Sequence, residues 1–221
     1  MNNIQKEDFM KKKKIEMILA SSSPRRKEIL ESVGADFRIV TSEADESVED
    51  TLPHDEAVCK IAKRKCEAVL EKLKKENELH ERTLILACDT VVVYAGMRIG
   101  KPESDMHASL TLGLLSDSWH SVYSGLAVYY KGKTVCRAAR TDVKFRELSE
   151  AEIAAYVASG EPRGKAGSYA IQMKGAAFTE RIEGEFNNVV GLPLVTLLAL
   201  LREEFGIVPT EILDFTNLYS K

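Results

Sequence analysis

Apolar and polar residues alternate in two rhythms along this chain of 221 residues. Ile15 to Ala20 form a short apolar run that reads as a strand. Three serines follow, then Pro24 and an amphipathic stretch. Ser23 suits the N-cap, and Pro24 suits the first helical position, where a missing N–H costs nothing. The spacing predicts a helix over 24–33, stopped by Gly34. Phe37 to Val40 predict a second strand, and the acidic segment 41–53 a loop. His54 to Glu78 place Val58, Ile61, Ala62, Lys65 and Val69 at helical spacing, with charges opposite. Leu84 to Tyr94 are β-branched and nearly continuously apolar, the pattern of a buried central strand, interrupted by Asp89 and Thr90.

Ala95-Gly96 and Gly100-Lys101-Pro102 predict turns, and 105–115 a helix. Trp119 to Tyr130 and Thr134 to Phe145 predict long strands joined by the hairpin turn Lys131-Gly132-Lys133. Ser149 and Glu152 form a capping box for a helix that reaches Ser159 before Gly160. Residues 161–175 read as a glycine-containing structured loop, 177–182 as a strand, and 193–205 as a leucine-rich helix. Long hairpins beside strand–helix units imply an α/β unit with a mixed sheet.

Composition narrows the classes. Hydrophobic residues make 44% of the chain and charged ones 29%, as in ordinary soluble proteins. A net charge of −3 argues against a general nucleic-acid binder. Residues 1–14 carry the basic run Lys11 to Lys14 without an apolar pattern. They are expected to be a disordered extension, with 15–221 as a single domain. Cys59, Cys66, Cys88 and Cys136 include no C-x-x-C pair and have no histidine at metal-ligand spacing. That argues against zinc and against a disulfide framework. No run approaches the roughly 20 apolar residues of a membrane span, and no leader pattern is seen. The expectation is a cytoplasmic protein with no membrane partner.

Five groups of residues can carry chemistry. Ser21, Ser23, Arg25 and Arg26 surround a helix start, which attracts anions, phosphate first; a capped surface helix with solvated arginines reads equally well. Asp89 is a carboxylate in the most apolar strand, costly to bury unless paired. It could cap a turn, pair with a lysine, or serve a metal and protons in a cleft. Glu43, Asp45 and Glu46 could offer oxygen ligands to Mg²⁺, or be a solvated acidic loop. Lys65 shares the apolar helix face and should point inward; Lys63 and Lys101 are further cations for a polyphosphate. Lys165 to Gln172 combine glycine, which lets backbone approach a ligand, with an amide able to read a base edge; a structural loop explains them as well. Together the groups describe a metal-dependent site for a polyphosphate.

The motifs resemble the Maf (septum-formation) family of nucleoside triphosphate pyrophosphatases. Leu19-Ala-Ser-Ser-Ser-Pro-Arg-Arg-Lys-Glu28 resembles the family's L-A-S-x-S-P-R-R-x-E. Ser42-Glu-Ala-Asp-Glu46 is similar to its acidic loop, Ala62-Lys-Arg-Lys65 to its A-x-x-K helix, and Ala87-Cys-Asp-Thr-Val91 to its A-D-T strand. Gly100-Lys-Pro102, Lys165-Ala-Gly-Ser-Tyr-Ala-Ile-Gln172 and Asn188-Val-Val-Gly-Leu-Pro193 resemble the motifs that follow. The resemblance implies an elongated mixed β-sheet flanked by helices, with two lobes and a central cleft, similar to the inosine triphosphatase fold. It implies a homodimer that needs a divalent cation, Mg²⁺ or Mn²⁺, and splits a nucleoside triphosphate into monophosphate and pyrophosphate. It makes Asp89 the proton acceptor and ties Arg25, Thr90 and Gln172 to substrate choice. The branch with those residues prefers dTTP and UTP; a branch acting on 7-methyl-GTP has tryptophan, glutamine and glutamate there. Gly164, Met173, Cys88 and Asp117 depart from the family's usual Asp, Gly, Ala and Gly.

The mechanism expected on this basis has Glu46 holding the metal, with Asp89 a second candidate ligand. Arg26, Lys65, Lys101 and the Ser21–Ser23 region would offset phosphate charge, and Arg25 would face the end of the substrate that differs between nucleotides. A nucleotide-binding regulator of septum formation without turnover, and a nucleic-acid binder using Lys11 to Lys14, are the rival readings.

Overall fold

Strand β3 (Thr83–Tyr94) organises the molecule in the computed structural model, which describes residues 15–41 and 43–215. The first half of one β3 edge pairs in parallel with β1 (Glu16–Leu19), ending at Leu19 opposite Leu86. The far end of the same edge pairs antiparallel with β4 (Met97–Ile99), starting at Val92 opposite Ile99. Between these partners, 87–91 pair with no strand on that edge. On the other edge β5 (Trp119–Tyr130) runs antiparallel along 85–93. With β2 (Phe37–Ile39), β6 (Lys133–Phe145) and β7 (Thr179–Glu183), the seven-stranded mixed sheet has the order β2-β1-β3-β5-β6-β7, with β4 beside β3. The α/β class and the mixed sheet expected from the sequence are both found.

Among the described residues six α-helices accompany it: α1 (Pro24–Ser32), α2 (His54–Lys75), α3 (Asp105–Leu115), α4 (Glu150–Ala158), α5 (Phe186–Val190) and α6 (Leu194–Phe205). The alternation of β3 splits its residues between two apolar clusters. Leu84, Leu86 and Cys88 join a core with Leu30, Leu112 and Leu200, while Ile85 and Ala87 pack with Ala62, Cys66 and Leu73 of α2. By the same alternation Asp89 points to the α2 side and Thr90 to the other. Gly125, opposite Asp89 on β5, lets α2 come close: a Cβ there would overlap the Val58 backbone.

Several expectations needed adjustment. Helix α2 stops at Lys75 rather than 78, because Asn77 takes a left-handed conformation with φ of 56°. The Ala95-Gly96 turn closes an unforeseen hairpin to β4. Residues Lys174–Phe178 form a 3-10 turn that delays β7 to Thr179, and the short helix α5 was not anticipated. Ser23 occupies the α1 N-cap, yet its side chain makes no capping bond; the Ser21 hydroxyl accepts the Ser23 N–H instead, at 3.2 Å. The Ser149–Glu152 capping box is present. The expected extension at 1–14 lies outside the described residues.

Candidate active site

Where β1 and β4 part from β3, a cleft of about 710 Å³ opens. This is the switch point at which open α/β sheets commonly bind ligands. The end of β1 and the start of α1 bring Ser21, Ser23, Arg25 and Arg26 to it; β3 brings Asp89 and Thr90; α2 brings Lys65. Glu46, Lys101 and Gln172 reach it from loops. Lys165 does not line it: its ammonium donates to the Glu161 carbonyl at 2.6 Å, between the lining residues Gly164 and Ala166.

On the α2 side Lys65 sits between two carboxylates. Its Nζ lies 2.8 Å from Asp89 Oδ1 and 3.0 Å from Glu46 Oε1. The side chains of Lys65 and Asp89 are 17% and 14% exposed, so this is a largely buried pair; Glu46 stays 63% exposed. Of the three explanations open for Asp89, the structure shows a lysine partner in a cleft. Arg64, the residue before Lys65, steers the loop: it pairs with Asp45 at 3.3 Å and donates to the Ser47 carbonyl. Hydrogen bonds from Ser47 hold the Asp45 carboxyl below its usual range. Asp45 therefore fastens the loop and does not line the cleft, and neither does Glu43. Lys63 is also away from it, near Glu67 at 3.8 Å.

The opposite side is built on neutral partners. Arg26 donates from Nε to the Gly191 carbonyl (2.9 Å), from one terminal nitrogen to Ser21 Oγ (2.9 Å) and from the other to Thr90 Oγ1 (3.3 Å). Gly191 has a φ of 125°, which turns its carbonyl into the site, and Cys88 donates to the same oxygen at 3.3 Å. Arg25 donates to the Val190 carbonyl at 3.2 Å. Among the described residues neither guanidinium forms an ion pair. Burial and the neighbouring Arg26 charge lower the pKa of Arg25; burial and the Arg25 charge lower that of Lys165. Glu28 and Glu161 oppose these shifts only in part, and cations that depress one another favour binding of an anion.

Four supports escaped sequence reasoning. Ser124, fully buried, shares a hydrogen with Thr90 at 2.8 Å. Its register opposite Thr90 comes from strand pairing, which the local pattern does not encode. Gly191 was visible only inside the last motif. Glu161 is 8% exposed and accepts from Tyr156 and from the Lys174 and Gly175 amides, anchoring the loop that carries Gln172. His120 contacts the Tyr169 hydroxyl at 2.8 Å behind the cleft.

No group of three or more His, Cys, Asp or Glu among the described residues could hold a metal. Glu46 and Asp89, both beside one ammonium, lie near each other and offer two hard oxygen donors. That set fits a Mg²⁺-like cation, which is commonly held by one or two carboxylates plus substrate phosphates.

Fold and cleft thus define an α/β protein with an anion-receiving site at a sheet switch point. The chain belongs to the Maf-like family: the model for Maf-like protein matches residues 16–204. It is 44% identical over 187 residues to the dTTP/UTP pyrophosphatase of Bacillus cereus strain AH820, covering 85% of this chain and 94% of that protein. A dTTP/UTP pyrophosphatase of Bacillus anthracis strain CDC 684 is equally similar over the same length. That of Bacillus cytotoxicus is 43% identical over 186 residues, covering 84% of this chain and 94% of that protein.

Proposed function

We propose that the chain hydrolyses nucleoside triphosphates, dTTP and UTP foremost, to the monophosphate and pyrophosphate. The observation that carries this reading is the placement of Asp89 and Arg26 on opposite sides of one cleft floor, one beside an ammonium and the other without a counter-anion among the described residues. The activity for which the relatives are named supports it.

The triphosphate lies against Arg26, the Ser21–Ser23 turn and Lys101, with Lys165 adding positive potential from behind. Water attacks the α-phosphorus in line with the departing pyrophosphate. Asp89 Oδ1 stays with Lys65, and its second oxygen takes the proton of the water. Arg26 and Lys65 stabilise the charge that gathers on the leaving oxygens. Arg25, Thr90 and Gln172 face the nucleoside and set its preference. When bound, a divalent cation, Mg²⁺ or Mn²⁺, held by Glu46 and the substrate phosphates, would supply Lewis acidity on the phosphate oxygens.

The test is incubation with dTTP, UTP and purine triphosphates in the presence of Mg²⁺ or Mn²⁺. Equimolar pyrophosphate and monophosphate are expected, fastest from dTTP and UTP. Release of orthophosphate, or binding without product as in a regulator, overturns the reading.

We place residues 15–221 in one functional unit and expect a homodimer in the cytoplasm. None of the described helices is long and apolar enough to cross a membrane. Met106, Leu110 and Leu114 form an apolar stripe on α3, 75%, 65% and 53% exposed, which suits a second copy of the chain. Leu110→Glu should convert the sedimenting species from dimer to monomer; an unchanged dimer removes this stripe from the interface.

A further inference from the structure

Away from the cleft floor, Cys59 of α2 and Cys136 of β6 meet across the α2 face of the sheet. Both are half-buried, and they stand 77 residues apart in the chain. The Cys136 thiol donates to the Cys59 carbonyl at 3.2 Å. The close approach has a cause: at Gly125 the backbone of Val58 and Cys59 lies directly on β5, and Cys136, opposite Ala127, is the diagonal neighbour on the next strand. The other two cysteines are different. Cys66 and Cys88 are fully buried, and each donates to a carbonyl, that of Ile85 and that of Gly191.

We propose that Cys59 and Cys136 form a reversible intramolecular disulfide when the protein meets a peroxide. The Cys59 thiolate attacks one peroxide oxygen, the O–O bond breaks, and the leaving hydroxide takes up the proton released by the Cys59 thiol, giving a sulfenic acid and one water. The Cys136 sulfur then attacks the Cys59 sulfur, the S–O bond breaks, and a second water leaves with the Cys136 proton. Two thiols are oxidised by two electrons, and one hydrogen peroxide is reduced to two waters.

The surroundings fit these two roles. The Cys136 thiol, which reaches the Cys59 carbonyl at 3.2 Å, also lowers the Cys59 pKa, as a nucleophilic thiol requires. Cys136 is raised, chiefly by Cys59 and then by burial, so it waits as the protonated partner; Lys63, one turn beyond Cys59, favours its deprotonation. Burial pushes Cys66 up to about 12 and also raises Cys88, which keeps both as thiols. The bond would fasten α2, the helix that presents Lys65, to the sheet.

Hydrogen peroxide treatment of the intact chain, followed by thiol counting in denaturant and peptide mapping, tests the proposal. Two of the four thiols should disappear, the intact mass should fall by two hydrogens, and one cross-linked peptide pair should hold Cys59 and Cys136. Dithiothreitol should restore all four. The oxidised form should melt roughly 5–10 °C higher, because the bond closes a long loop. Cys59→Ser and Cys136→Ser should each abolish the mass loss and the shift. Four surviving thiols, stable oxygen addition at either cysteine, or a cross-link between chains or to another cysteine overturns it. The wild-type peptide map decides the matter even where a serine variant folds poorly.

Discussion

Asp89 and Thr90 are adjacent on β3, yet the two sides of the sheet treat them oppositely. On the Asp89 side the charges nearest the carboxylate are paired: Lys65 lies between Asp89 and Glu46, and Arg64 holds Asp45, while Arg98 rests on the Glu49 and Leu52 carbonyls. On the Thr90 side the cations rest on carbonyls and hydroxyls, with Ser124 behind Thr90. A compensated carboxylate can change its proton load without destabilising the site, because Lys65 keeps a second partner. An uncompensated guanidinium, already aimed by neutral acceptors, can take an anion without first breaking an ion pair. On the function proposed above, the contrast would separate proton handling from phosphate binding across a single strand.

Asp89→Asn is the strongest way to break that division. Turnover should fall about 10³-fold, near 4 kcal/mol, while the thermal midpoint moves little because Lys65 retains Glu46. The check is a pyrophosphate-release assay beside a melting curve. Activity within tenfold of wild type would remove Asp89 from the proton-transfer role.

Much of this division was legible in the chain, for reasons that differ by side. Asp89 stood out because a carboxylate in an apolar strand demands a partner, and Lys65 because it shares a helix face with Ile61 and Ala62. Both signals are local. The supports of the Thr90 side are not local: Ser124 needs the β5 register, and the Val190 and Gly191 carbonyls reach Arg25 and Arg26 across 165 residues. The long strands and helices followed from periodicity. The one-turn helix α5 and the 3-10 turns did not, because so few residues carry no period. The acidic loop offered three carboxylates, with Glu46 the expected metal ligand; contacts with α2 set Asp45 apart as a fastener and keep Glu46 at the cleft.

The Thr90 side also contains a titrating anchor. His120 packs edge-on against Phe145 and Tyr169, and its Nδ1 is buried without a partner. Burial lowers its pKa to about 4, against the opposing pull of Asp142. The folded protein thus holds the ring neutral, while the unfolded chain binds a proton below about pH 6.5. Its contribution is fully present above that pH and is lost as pH falls from about 6.5 to 4, a swing of about 3 kcal/mol. Melting curves across this range should show the drop. His120→Gln should flatten the portion due to this residue, and an unchanged slope in that variant would assign the acid sensitivity elsewhere.

Removing the fork from the anion side should cost less than removing Asp89. Arg26→Met leaves Ser21, Thr90 and Gly191 without their shared donor but keeps a long apolar stem. A fall in kcat/KM of about 30-fold, near 2 kcal/mol, is expected for dTTP. Arg26→Lys should recover little, because one ammonium cannot reach the three acceptors that the guanidinium spans. Full recovery with lysine would reduce Arg26 to a point charge.

The smallest effect should come from Gln172, exposed at the rim on the loop that Glu161 anchors. A thymine or uracil edge presents carbonyl acceptors beside an N–H donor, and an amide matches both. Gln172→Glu keeps the size and removes the donor, leaving a carboxylate against a carbonyl. The kcat/KM for dTTP and UTP should fall about tenfold, and that for dATP should change less, since binding at the phosphate end is untouched. A uniform loss across all bases would mean that Gln172 acts on the triphosphate or on the loop rather than on the base, and the reading of the rim as the selective end of the cleft would then have to move to Arg25.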